Sequence, residues 1–172
     1  MNPDLDLRLQ SMLKALADVI LPAIPADQSL ARDQTKLVMG HLSVIAGQWK
    51  HALNYELESL RLACKLAREL ADLGLTSELS NTLHAAVAEA ERLDKSDYDA
   101  VSAAHRALKQ VIDRIIAGAD SDALMPFALK AAVLSYSLVQ ARRERIWYQG
   151  AGLDPDTAKL PPITSLFKRE VR

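Results

Sequence analysis

Four polar side chains recur at seven-residue intervals in one stretch of this chain, Gln34, His41, Gln48 and Tyr55, beside two small residues at the same interval, Gly40 and Gly47. Seven residues make almost two helical turns, so on a helix the four groups form one stripe. An imidazole, a phenol and two carboxamides placed this way can hydrogen-bond a small ligand held between helices. Glycine inside a helix costs about 1 kcal/mol relative to alanine, so the pair predicts that something approaches the backbone closely there. The competing role is structural, because Gln and Tyr commonly line the edge of a helical core without function.

His105 is the second candidate. It falls on the apolar seam of a later helix with Tyr98 one heptad before it, so its imidazole must find a partner or suffer the cost of burial. The third is the run Arg142-Arg143-Glu144-Arg145-Ile146-Trp147-Tyr148, whose guanidiniums and aromatic rings can clamp a phosphate or carboxylate and stack on a planar group. Cations at a helix C-terminus also favour its dipole, which is the structural role for the same residues. Arg145 sits on the predicted core seam and there requires a carboxylate. The candidate ligand set is therefore His41, Gln48, Tyr55, His105, Arg142 and Arg145.

Catalytic patterns are missing. The chain has no Glu-x-x-His, and His41, His51, His84 and His105 form no i, i+4 pair, so neither a di-iron bundle site nor a helical zinc site is encoded locally. It has no Gly-x-Ser-x-Gly elbow and no phosphate-cradling glycine loop. No catalytic residue, metal or cofactor is assigned.

The elements that must position these groups are helices. Leu and Ala dominate, and the aromatic content is only 5%, which favours helix-on-helix packing over a sheet. Helix 1 is expected from about Asp4 to Leu21, with a seam of Leu5, Leu9, Met12, Leu16 and Val19, stopped by Pro22 and Pro25. Residues 26–73 lack proline and read as one long helix of about 70 Å, capped by Asp27 or Ser29 and ended by Gly74. A third helix starts near Thr76 or Ser77, with a seam of Leu79, Leu83, Ala86, Ala90 and Leu93. Asp94-Lys95-Ser96-Asp97 then reads as a fresh start capped by Ser96, although a kinked continuous helix over 76–118 fits nearly the same phase. The next helix presents Tyr98, Val101, His105, Leu108, Ile112 and Ile115, and a turn is expected at Gly118, Asp120 and Ser121. The last carries Pro126 in its first turn, a seam of Phe127, Ala131, Leu134, Leu138, Ala141, Arg145 and Tyr148, and an end at Gly150 and Gly152.

Short connections predict an all-α, antiparallel up-down four-helix bundle over residues 1–152, the third helix possibly split and one helix unusually long. Residues 153–172 form an extended Pro-containing tail whose Leu153, Leu160, Ile163, Leu166, Phe167 and Val171 are apolar enough to dock on the bundle or on a second subunit.

Composition bounds the function classes. A net charge of −1 removes the electrostatic signature of a nucleic-acid or membrane-surface binder, although the last third is mildly basic. Ala123 to Ala141 is the nearest thing to a membrane span and is too polar for one. One cysteine, Cys64, excludes an internal disulfide, and the acidic N-terminus lacks an export signal, so the cytoplasm is expected. The long helix carries its seam on through Leu57, Leu60, Cys64 and Ala67, beyond what a short bundle covers, and this predicts a homodimer or a protein partner. The leading expectation is a non-catalytic protein that works by association. The alternative is an enzyme or binder of a small anionic or acyl ligand, with a pocket lined by His41, Gln48, Tyr55 and His105.

Overall fold

The structure is a computed structural model that describes residues 4–73, 75–121 and 127–167. The described residues form helices and no strand. The longer elements are α1 (Leu5–Ala15), α2 (Ser29–Gln48), α3 (Ala52–Ala71), α4 (Ser77–Arg92), α5 (Tyr98–Ser121) and α6 (Phe127–Trp147). They divide into two compact units, one of residues 1–50 with 143–172 and one of residues 51–142.

In the first unit, α1 widens into a π turn at Leu16–Ile20 and continues through Leu21–Ala23. Pro22 therefore lies inside the helical run instead of stopping it. Its ring cannot donate a hydrogen bond and crowds the carbonyl four residues back, and a wider turn accommodates both defects. The run ends at Ile24, which is extended (ψ 122°), as the residue before Pro25 prefers. Arg32 then donates to the terminal carbonyls of Leu21 (3.2 Å) and Ile24 (2.8 Å). Of the seam assigned to this helix only Leu9 is buried, while Leu5, Met12 and Val19 are exposed. Neither Asp27 nor Ser29 caps α2, because the cap position is Gln28 and no side chain bonds there.

The single long helix expected over 26–73 is two. A 3-10 turn at Trp49–His51 separates the 20 residues of α2 from the 20 of α3. Inside the first unit the turn is held by Asp6, whose carboxylate accepts from Trp49 Nε1 (2.8 Å) and pairs with Lys50. These contacts, Lys50 first and Trp49 second, hold the Asp6 carboxyl below its ordinary range. Gly74, expected to end the helix, lies outside the described residues, as do Pro126 and Val171.

The second unit has a continuous core. Ala63, Ala67 and Leu70 of α3 are fully enclosed against Leu83 and Val87 of α4, Val101, Leu108 and Ile112 of α5, and Leu129 of α6. Alanines on facing helices let the backbones approach closely, and each enclosed leucine contributes about 1.5–3 kcal/mol. Leu60, Cys64 and Ala67 are thus covered by the chain's own helices, which overturns the expectation that this seam needs a second copy to bury it. Burial also pushes the Cys64 thiol up, away from reactivity.

Helix α4 starts beside Thr76 as expected, and the Thr76 side chain caps it by accepting from the Leu79 amide. Residues 94–97 break the chain into two helices. Asp94 accepts from the Ser96 amide and hydroxyl, and Asp97, not Ser96, caps α5 by accepting from the Asp99 and Ala100 amides (2.9 and 3.1 Å). The turn expected at Gly118, Asp120 and Ser121 is helical instead, since α5 runs through Ser121.

In α6 the expected seam faces outward: Phe127, Leu134 and Leu138 are 87%, 62% and 73% exposed, and Ala131 and Ala141 are exposed beside them. Leu129, Val133 and Tyr136 pack on the core in their place. Tyr98, assigned to the core of α5, is likewise exposed. After Trp147 the chain forms 3-10 turns at Gln149–Ala151, Thr157–Lys159 and Ile163–Phe167, with Gly152 at φ 67°. Among the described helices none is long and apolar enough to cross a membrane.

Candidate functional site

The site with the most chemistry lies in the second unit, between α3 and α5. His105 is carried on the inward face of α5 between Val101 and Leu108, both enclosed, so its side chain is only 13% exposed. Across from it Glu56 projects from α3, and its Oε2 lies 2.9 Å from His105 Nδ1. Burial disfavours an isolated carboxylate, yet the His105 hydrogen bond outweighs that and holds the Glu56 carboxyl below its ordinary value, with the charges of His105, Arg106 and Lys109 adding to the effect. An ionised Glu56 can only accept, so Nδ1 donates to it, and the bond fixes the ring's orientation. Nε2 is enclosed and has no hydrogen-bond partner among the described residues.

The surroundings are polar for a helical interior. Ser59 is fully buried and donates to the Tyr55 carbonyl (2.8 Å), and the buried Ser102 accepts from Arg106 (2.8 Å). A carboxylate that orients an imidazole is the arrangement that general bases and histidine ligands share. Among the described residues, however, no three His, Cys, Asp or Glu side chains converge to hold a metal ion.

The sequence-derived candidates are distributed between the two units. Tyr55, buried, and His105 belong to the second. His41 and Gln48 belong to the first, where His41 is exposed and the Gln48 carboxamide donates to the Trp147 carbonyl (2.9 Å). A Cβ built on Gly40 or Gly47 meets nothing within 4 Å, so neither glycine serves a close approach in this structure. Arg142 is exposed, and Arg145, placed by the sequence on the core seam, lies at the surface. Its need for a carboxylate is met twice by the tail: Nε lies 2.7 Å from Asp154 and Nη2 3.5 Å from Asp156. The Arg145 guanidinium holds the Asp154 carboxyl below its ordinary range. A guanidinium already engaged by two carboxylates is a poor clamp for an external anion.

Glu56 was not among the candidates. The available signal was its position three residues after Leu53 and four before Leu60, a carboxylate on the apolar face of a helix that requires a buried partner. A groove of about 510 Å³ also runs between α4 and α5, lined mainly by alanines, among them Ala90 and Ala104, with Glu89 and Arg92 beside them. None of the candidate ligand residues lines it. Comparison with protein-family models, curated proteins and solved structures finds no match to this chain.

Proposed function

We propose that this chain is a non-catalytic helical protein that acts by association, with a second copy of itself as the partner, in the reducing interior of the cell. The observation that carries the reading is the outward seam of α6, where Phe127, Leu134 and Leu138 stand in solvent in a row. Three large apolar side chains at seven- and four-residue spacing on one face have the pattern of a helix-pairing seam, and leaving them in water forfeits about 1.5–3 kcal/mol each. The chemistry for catalysis is thin by comparison, since a buried imidazole paired with one carboxylate completes by itself no recognised constellation. We propose too that α3, α4, α5 and the first part of α6 close as an antiparallel four-helix bundle, of which this seam is the outer face.

Sedimentation velocity tests the reading. The wild-type chain is expected to be dimeric at micromolar concentration, and Leu134→Glu combined with Leu138→Glu is expected to be monomeric with unchanged helix content. A wild-type monomer, or a double variant that still dimerises, rejects it.

A second reading rests on the enclosed Nε2 of His105, which a small polar ligand between α3 and α5 would satisfy. Here the test is a thermal-shift screen of small carboxylates and phosphates, in which a ligand at 100 times its dissociation constant adds about 2.7 kcal/mol. A hit retained by His105→Ala sinks this reading.

A further inference from the structure

The break between α2 and α3 is not written in the residues that form it. Gln48-Trp49-Lys50-His51-Ala52-Leu53 holds neither proline nor glycine, and each of its residues is one that a helix interior accepts at modest cost. Trp49, the residue after α2, keeps helical angles (φ −55°, ψ −37°), and its amide still bonds the Ile45 carbonyl four residues back. His51 precedes α3, and among the described residues no side-chain cap bond is made there. The departure is concentrated in the His51 backbone, whose φ of −113° lies well away from the value of about −63° in an α-helix. In sequence the heptad column passes through the break without a change of phase, from Gln34 and His41 to Gln48 and Tyr55.

What sets these residues apart is their contact with α1. Asp6, in the first turn of α1, accepts the Trp49 indole N–H on Oδ1 (2.8 Å) and pairs through Oδ2 with Lys50, so one carboxylate holds both residues that open the turn. Lys50 also lies over the Trp49 ring, 5.3 Å from its centroid. We infer that the break is a pinned state and that α1 is the pin: with Asp6 engaged, Trp49–His51 stay in the tighter 3-10 turn, and when α1 lets go they relax and join α2 and α3 into one helix over residues 29–71. A helix that is already nucleated gains a hydrogen bond for each further residue it fixes. A three-residue gap with 20 helical residues on each side therefore closes unless something outside the helix holds it open. The 3-10 turn has the poorer hydrogen-bond geometry, and in the middle of a helical run it marks a hinge or a stretch held under strain. The chain thus carries a two-state element whose populations are set by the seating of α1, and whatever draws Asp6 away from Trp49 and Lys50 shifts it toward the fused helix.

Backbone NMR of the full chain tests this, because the three-bond coupling between amide and α protons reports φ residue by residue. In the wild type His51 is expected to give the large coupling of an extended φ, and in Asp6→Ala the small coupling of a helix. Trp49→Phe combined with Lys50→Met removes both donors and leaves α1 untouched, so it is expected to give the same helical His51 and decides the matter should Asp6→Ala fail to fold. Gln48→Ala removes the bond to the Trp147 carbonyl with Asp6 still in place, and His51 should keep its wild-type coupling there. A large His51 coupling retained in the variants that lose the Asp6 contacts overturns the inference, because the break then belongs to the local sequence. A small coupling in the wild type, or in Gln48→Ala, overturns it as well. So do averaged couplings with unprotected amides over 49–51, which would mean that the released turn melts instead of joining the helix.

Discussion

His105 Nδ1 and Glu56 Oε2 sit 2.9 Å apart and tie the middle of α5 to the first turns of α3. Both side chains are largely enclosed, at 13% and 21% exposure, so the bond is made where water competes poorly. It fixes which faces of the two helices meet.

Removing the carboxylate leaves a buried imidazole nitrogen without its acceptor. Glu56→Ala is therefore expected to lower stability by about 1–3 kcal/mol, and Glu56→Gln, which keeps an acceptor, by less. The sign of the pH dependence follows from the lowered Glu56 value. The unfolded carboxyl, near 4.5, takes up a proton before the folded one does, so this stabilisation is complete above that range and is lost as pH falls through the folded value. Denaturant melts across acid pH check it: the wild type should lose its advantage over Glu56→Gln on acidification, and a constant gap would show that the pair contributes no charge-dependent stability.

Helix capping gives a second prediction. Asp97 accepts from two backbone amides at the start of α5, donors that the helix itself leaves unsatisfied. Asp97→Ala is expected to cost about 0.5–2 kcal/mol, and Asp97→Asn much less, since asparagine caps nearly as well. By contrast Ser96→Ala, at the residue the sequence alone favours as cap, should change stability little. Thermal melts of the three variants rank them.

How far the sequence reaches can be read from particular helices. The inward face of α5 was legible in Val101, Leu108, Ile112 and Ile115, because polar residues fill the opposite side and one face alone can be buried. In α6 the pattern is two-sided. Leu129 and Val133 compete with Phe127, Leu134 and Leu138, and a count of apolar positions cannot choose which stripe meets the core. The split at Trp49–His51 carries no glycine or proline, and it follows from the tertiary contact of Trp49 and Lys50 with Asp6, 43 and 44 positions away. Glu56 needed the register between two helices, which no single helix's periodicity contains. The need of Arg145 for a carboxylate was legible; the supplier, a tail after Gly152, was not.

Core and seam leucines should separate sharply in energy. Leu70 is fully enclosed, and Leu70→Ala is expected to cost about 2–5 kcal/mol through lost transfer energy and the cavity left behind. Leu138, at 73% exposure, should respond by less than about 0.5 kcal/mol when cut to alanine at concentrations where the chain is monomeric, as surface positions do. At concentrations favouring association the Leu138→Ala penalty should grow and that of Leu70→Ala should not. A Leu138→Ala penalty independent of concentration would show that this side chain is covered within the chain itself.

The glycines of α2 provide the last test. Their seven-residue spacing suggests a surface kept bare for something to approach, yet a Cβ at Gly40 or Gly47 meets no atom within 4 Å. Both lie inside α2, where glycine costs about 0.8–1.0 kcal/mol relative to alanine through the greater backbone freedom of the unfolded chain. Gly40→Ala and Gly47→Ala are therefore each expected to stabilise by about 0.4–1 kcal/mol, roughly additively because the sites share no contact. Gly152→Ala should do the opposite, since φ of 67° is a backbone conformation that alanine resists. Denaturant melts of the three variants measure this directly. Stabilisation at Gly40 and Gly47 together with an unchanged oligomeric state means that the bare stripe serves no partner. Destabilisation that deepens with protein concentration means that a second chain sits against α2, and the association surface must then be sought there as well as on α6.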